Sequence, residues 1–419
     1  MERNYSTIEG TSRGYTVLVA LLGVMVGVFI LSFLVAYLKG QQVWGISNII
    51  PWGQLITFYI YFIGLSAGAI IISSLSYVFK REIYEPIGRM AVFMGILLMV
   101  GAMGFVLVDL GRPEKAWRLF MYFYLNNMTS LFAINSIFYV GYIVLMLVYL
   151  WLIFEGKRRL AAIVGTVDVL WAIAVHMGTG AIFGLIGNRE IFFSPIKPFE
   201  FLTAALTSGT SLIILTAVVT FKLTRRVIQD ELIFSLGRLL TSIILILLVM
   251  VFFDKLTHLY FPNREATVYL FTGYYWWIFW IFQICMGIVL PLILLIHPMT
   301  KKTLRGVVCA ATSVVIGVFG ERAALVIPGT AHPQPFFPGK IEGPWGEPGI
   351  FPITPWETLL SLSIVAFVVL LFVLGLRYLE ILPARTGEPL PAGTGPAVQP
   401  KAPDSGDFKG MRTGRNGSN

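Results

Sequence analysis

The chain has 419 residues, of which 57% are hydrophobic, 14% aromatic and only 13% charged, against about 25% charged in an ordinary soluble domain. That balance excludes a water-soluble enzyme. The formal charge of +9 would raise the question of nucleic acid in a soluble protein, but here the basic residues sit in loops and tail, where membrane topology accounts for them. Cys285 and Cys309 both fall in apolar runs, so they form no disulfide framework or CxxC metal site and read as packed thiols.

In chain order, polar residues 1–14 form a short N-terminal segment. The run that follows is too long for a signal-peptide core and reads as a retained span. Uninterrupted apolar stretches of helical length then predict ten spans, at 15–38, 53–79, 87–108, 130–154, 161–187, 199–221, 235–257, 271–296, 306–327 and 359–378. The expected fold class is therefore an all-α polytopic membrane protein, with its membrane domain at 15–378. An even number of spans puts both termini on one side. That side holds 15 basic residues before span ten and 6 from Arg377 onward, against 10 on the other, so the positive-inside rule predicts cytoplasmic termini in the cell membrane. The opposite connections are longer and rich in aromatics, Pro and Gly: Asp109 to Ser130, Asn188 to Lys197, and a long loop at 328–358. Residues 383–419 are Pro-, Gly- and Lys-rich without apolar period, and disorder is expected there.

Laying the second span over the sixth exposes a repeat. Leu65-Ser66-Ala67-Gly68-Ala69 answers Leu206-Thr207-Ser208-Gly209-Thr210, and Gly88-Arg89-Met90 answers Gly237-Arg238-Leu239. Both copies run in the same direction, which predicts two four-helix bundles, 53–187 and 199–327, flanked by spans one and ten.

Ionisable groups at membrane depth are functional candidates. Asp168 and His176 share the fifth span, eight residues apart, or about 12 Å of rise. Their order suits a proton path from the terminal side toward a site in the far half. Glu321 and Arg322 read as lying near the far end of the ninth span, with Glu321 about six residues deep and a third candidate for the path. Asp254-Lys255 reads as a helix-end pair reaching water. Of the four histidines only His176 is deep, so bis-histidine haem is not expected, and no Cys/His cluster suggests iron–sulfur or zinc. No metal or haem is therefore expected in this chain.

Asp109-Leu110-Gly111-Arg112-Pro113, followed by Trp117 and Ser130, resembles the NrfD/PsrC family of quinone-interacting membrane subunits. Four further segments agree in family order: Gly64 to Gly68; His176-Met177-Gly178-Thr179-Gly180 with Asn188-Arg189; Pro198, Phe201, Leu202 with Ser208-Gly209; and Pro352-Ile353-Thr354-Pro355-Trp356-Glu357. Ten spans look more like the long subgroup, with the Dsr-complex P and hydrogenase-associated HybB-type subunits, than the eight-span polysulfide reductase subunit. The resemblance implies a protein that binds menaquinone or ubiquinone near the outer face and exchanges electrons with an extracytoplasmic protein carrying four iron–sulfur clusters. A further catalytic or cytochrome subunit would complete a respiratory oxidoreductase. It also implies quinone contacts at Tyr59, His176, Thr179 and Gln54, with Tyr59 standing where the polysulfide reductase subunit has a histidine. Asp109, Gly111, Arg112, Pro113, Arg189, Arg322, Trp356 and Glu357 are its motif residues. A secondary transporter, which predicts broken helices meeting at midplane, and a purely structural anchor are the alternatives.

Overall fold

The computed structural model describes residues 4–119, 121, 129–260, 264–333 and 346–385. Parts of the expected 109–130 and 328–358 loops, and all of the tail beyond Arg385, lie outside the described residues. Among the described residues ten helices are long and apolar enough to cross a membrane. Spans one to five are Arg13–Lys39, Gln54–Tyr77, Glu85–Asp109, Leu131–Phe154 and Arg158–Gly184; six to ten are Lys197–Leu223, Asp230–Tyr260, Ile278–Ile296, Leu304–Ala331 and Pro355–Tyr378. The protein is an all-α, multi-pass membrane protein.

Three boundaries differ from those expected. Span seven starts earlier because Asp230 and Glu231 occupy its first turn, where carboxylates suit the positive end of the helix dipole although they lie outside the apolar run. Span eight starts later: Glu265–Thr272 is a separate short helix that ends at Gly273, and the span proper opens as a π-helix over Ile278–Val289. Span nine continues to Ala331 through Pro328. Glu321 therefore lies ten residues, about 15 Å, from that end, deeper than expected.

Spans two, three, four and five pack in a closed ring, and spans six, seven, eight and nine form a second ring. The rings meet where span two packs on six, five on six, and two on nine, while span one lies on span ten, which leans on span three. Within its most apolar window span two is 89% buried and span one 11%, so span two is the central helix and span one peripheral. The two central helices touch at the repeated glycines. A Cβ on Gly68 would lie 2.7 Å from the Cα of Gly209, so only glycine lets the backbones approach this closely. Both helices run unbroken through this contact, without the discontinuity expected for a transporter.

The two ends of the described chain share a face. Tyr5–Ser6 pairs antiparallel with Leu382–Pro383, and Arg226 clamps this two-stranded ribbon by donating to the Pro383 carbonyl, to Ser6 Oγ at 3.0 Å and to the Thr7 carbonyl at 2.9 Å. On the opposite face, connections from one half of the protein cap helices of the other. Glu357 is fully buried and accepts from the Leu55 amide at 3.2 Å, placing a carboxylate on the N-terminal turn of span two. Arg189 donates to the carbonyls of Gly329, Thr330 and His332 at 3.2, 2.8 and 3.4 Å, covering the C-terminal carbonyls that span nine cannot satisfy itself.

Cys285 and Cys309 are free and exposed, contrary to the expectation of packed thiols. Each helix turns that position toward its outer surface.

Candidate functional site

Span four carries a polar stripe at helical spacing. Asn135, Tyr139, Tyr142 and Tyr149 are all buried inside the first ring, where burial of polar groups requires partners. Near the opposite face those partners form a small network with spans two and five. The Tyr59 hydroxyl donates to that of Tyr139 at 2.7 Å, and the Tyr139 and Thr179 hydroxyls are 2.9 Å apart. Thr179 donates back to the Val175 carbonyl at 2.9 Å, while Asn135 Nδ2 donates to Tyr139 at 2.5 Å and to Thr179 at 3.0 Å. In this arrangement the chain runs from Tyr59 to Tyr139 to Thr179 to the Val175 carbonyl. Its open end is the acceptor side of the Tyr59 oxygen. A hydroxyl chain can also reverse, and Tyr59 then becomes a donor at the same end.

His176 lies one helical turn deeper than Thr179. Its ring occupies the space left by Gly64, where a Cβ would stand 3.2 Å from Cε1. Nε2 is 2.8 Å from the Phe201 carbonyl, which can only accept, so the proton of the neutral ring sits on Nε2. Nδ1 is buried without a hydrogen-bond partner, which makes it a bare proton acceptor. Arg322 shares the Phe201 carbonyl at 3.3 Å, lies over the Phe201 ring at 3.8 Å and pairs with Glu321 at 3.2 Å.

Beyond Arg322 the second ring holds a buried ionic cluster. Lys197 meets Glu200 at 2.6 Å and Asp254 at 3.3 Å, and Asp254 also meets Lys255 at 2.8 Å. Ser194 donates to Asp254 at 2.5 Å, and His258 Nε2 reaches the Phe193 carbonyl at 2.7 Å. Asp254 is 2% exposed, so the expected water-seeking pair is instead the centre of a network buried inside the protein. Span seven runs on to Tyr260 and carries Asp254 inward. Removing one partner of such a network strands the others. Asp254→Ala is expected to destabilise the detergent-solubilised protein by about 3–5 kcal/mol, read as a lowered denaturation midpoint.

In the terminal half, Asp168 is fully buried and neither carboxylate oxygen has a hydrogen-bond partner. Tyr142 and Tyr149 of span four are its electrostatic neighbours.

The expected site residues thus divide. Tyr59 and Thr179 share one network and His176 adjoins it, whereas the Gln54 side chain accepts from Thr358 at 3.3 Å, at the head of span two. Glu321 connects through Arg322 to the carbonyl that holds His176. Asp168 stands apart, about 12 Å of helix rise below His176. Glu357 and Arg189 are helix caps, and Trp356 is a half-buried packing residue beside the Glu357 cap. Gly111 has φ +68° and sits against Gln41, whose amide donates to the Asp109 carbonyl, closing the end of span three. Pro113 opens a single turn of 3₁₀ helix after the exposed Arg112. Gly111 and Arg112 border a pocket of about 780 Å³ that Gln41, Lys115, Arg118 and Ala133 also line. The sequence reading missed Asn135 and Tyr139. Their i, i+4 spacing in an otherwise apolar span could have revealed them.

Among the described residues no group of three or more His, Cys, Asp or Glu could hold a metal ion. His332 lies at the opposite-face end of span nine, 5.3 Å from the Tyr269 ring, and burial pushes its pKa below the ordinary histidine value.

The sequence model of the family described as polysulphide reductase, NrfD matches residues 42–334. The chain belongs to the NrfD family. It is similar to the Hdr-like menaquinol oxidoreductase integral membrane subunit of Archaeoglobus fulgidus, with 31% identity covering 93% of this chain and 99% of the relative. It is also similar to a selenate reductase subunit of Mesobacillus selenatarsenatis, at 30% identity over 82% of this chain and 89% of the relative. The menaquinone reductase integral membrane subunit of Nitratidesulfovibrio vulgaris is 25% identical over 82% of this chain and 86% of its own.

Proposed function

We propose that this NrfD-family chain is the quinone-reactive membrane subunit of a respiratory oxidoreductase, exchanging electrons between the quinone pool and an iron–sulfur protein docked on the face opposite the termini. The observation that carries the reading is the buried chain Tyr59–Tyr139–Thr179 with Asn135 above and His176 below. The names of the relatives favour menaquinone over ubiquinone.

A quinol and a quinone ask opposite things of the protein, because the quinol hydroxyl donates and the quinone carbonyl accepts. A hydroxyl chain that can run either way meets both demands at Tyr59. Oxidation of a quinol releases two electrons and two protons. His176 Nδ1, unprotonated and without a partner, can take one proton. The other has two directions open to it, toward Asp168 and the terminal face or, past Arg322, toward Glu321. The pocket beside Arg112, Lys115 and Arg118, with Trp117 exposed next to it, suits docking of a partner with acidic surface carboxylates.

The positive-inside rule makes the termini cytoplasmic and the docking face extracytoplasmic. A cysteine at Lys157 should then react with an impermeant maleimide only in inverted vesicles, and one at Trp117 only in intact cells. Labelling of Lys157→Cys in intact cells would reverse the topology.

Asp168→Asn should slow quinol turnover several-fold and diminish proton exchange with the terminal side, while quinone affinity stays within about twofold, since Asp168 lies well below the headgroup site. A proteoliposome assay with an internal pH dye checks this. Wild-type turnover and proton exchange would remove Asp168 from the path.

A further inference from the structure

On the face of span two turned away from Tyr59, a groove of about 990 Å³ opens between the two rings and the flanking spans. Its walls are apolar side chains, among them Leu65, Met94, Leu212, Val315, Val368 and Phe372. Protein interiors are close-packed, so a space of this size is not closed by the chain itself, and its walls offer water almost no partners. What fills it must be apolar and elongated. Along span six the lining runs from Leu223 to Leu212 and along span ten from Leu376 to Val365, eleven residues or about 17 Å of rise in each case, and on span two it continues from Leu65 to Phe58. A hydrocarbon core is about 30 Å thick, so the groove reaches from the terminal face past the midplane, long enough for an extended acyl chain.

The groove opens on the terminal face, and its mouth differs from its walls. Arg225 and Arg385 stand there with the hydroxyls of Thr11, Ser12 and Thr224, against one acid, Glu9. Arg225 occupies the left-handed turn that ends span six, at φ +54°, while Arg385 holds the Thr224 carbonyl through Nε and Nη2 at 3.2 and 3.0 Å. Two guanidinium groups are thereby brought to the rim of a deep apolar slot. Guanidinium pairs well with phosphate oxygens.

From this combination we infer that the groove is a binding site for an anionic phospholipid of the terminal-face leaflet, with its phosphate at Arg225 and Arg385 and an acyl chain lying between spans two, six and ten. The site is separate from the quinone reading and does not depend on it.

Native mass spectrometry of the full-length chain, released from nanodiscs of equimolar phosphatidylglycerol and phosphatidylcholine, tests the assignment. The wild type should retain one phosphatidylglycerol per chain, at least fivefold over phosphatidylcholine. Arg225→Glu/Arg385→Glu should abolish that preference. Leu215→Trp, which fills the groove and leaves the mouth intact, should lower retention of either lipid at least fivefold. Circular dichroism and a melting curve on each variant identify any that misfold, and Arg225→Gln/Arg385→Gln then replaces the charge-reversed pair. Equal retention of both lipids, retention of an isoprenoid quinone in place of phospholipid, protection of the groove by the C-terminal tail, or no retained lipid would each overturn the proposal.

Discussion

Replacing His176 by alanine is expected to lower quinol turnover by about 10²-fold or more, the scale on which a positioned acid–base group contributes, while the protein still folds and assembles. The substitution removes the bare Nδ1 and leaves the Phe201 carbonyl with Arg322 as its remaining side-chain donor. It also opens space over Gly64 without disturbing the contact between spans two and six one turn further along. A His176→Gln variant keeps a donor toward Phe201 but offers no titrating nitrogen. Turnover should fall in both variants, whereas assembly should suffer less with glutamine. If glutamine restores full turnover, the imidazole holds the helices in position and moves no proton. The check is steady-state quinol oxidation by membranes containing matched amounts of assembled complex.

The second large effect concerns the fold. Gly209→Leu should prevent accumulation of folded protein, because spans two and six have no room for a side chain where their backbones meet. Overpacking ordinarily costs about 1–3 kcal/mol, but here the obstacle is rigid backbone, so separating the helices is the only relief. Gly27→Leu in span one is the matching control, since a Cβ there meets nothing within 4 Å. Yield and melting temperature in mild detergent should fall sharply for the first variant and stay near wild type for the second. Equal behaviour of the two would mean that the glycine contact is dispensable.

The spans were legible because hydrophobicity over helical length is a local property that needs no knowledge of partners. The break at Gly273 was not, since Phe271 to Trp277 is uncharged and mostly aromatic and so reads as the opening of the span it precedes. The repeat was readable from Gly68 and Gly209, although their mutual contact belongs to the folded state. In the site, Asp168 and His176 announce themselves as ionisable groups in apolar runs. Tyr139 passes for another aromatic, and Phe201 takes part through a backbone carbonyl that no side-chain pattern encodes. Arg189 and Glu357 stood out as motif residues, but their capping roles depend on helices 140 and 302 positions away in sequence. Asp254 shows the same limit in energetic form. A charge near a helix end reads as solvated until its partners Lys197 and Ser194 arrive from another helix and its preceding loop.

The most direct measurement is equilibrium binding of a fluorescent menaquinol-analogue inhibitor to the purified wild-type protein and to Tyr59→Phe and Tyr139→Phe. Removing one buried hydroxyl from a hydrogen-bonded chain costs up to about 3 kcal/mol, and a tenfold loss of affinity corresponds to about 1.4 kcal/mol. One site per chain in the wild type, with at least tenfold weaker binding in both variants and unchanged thermal stability of the free Tyr59→Phe protein, is the predicted result. Wild-type affinity in both variants would contradict the placement of the quinone at the Tyr59–Tyr139–Thr179 chain.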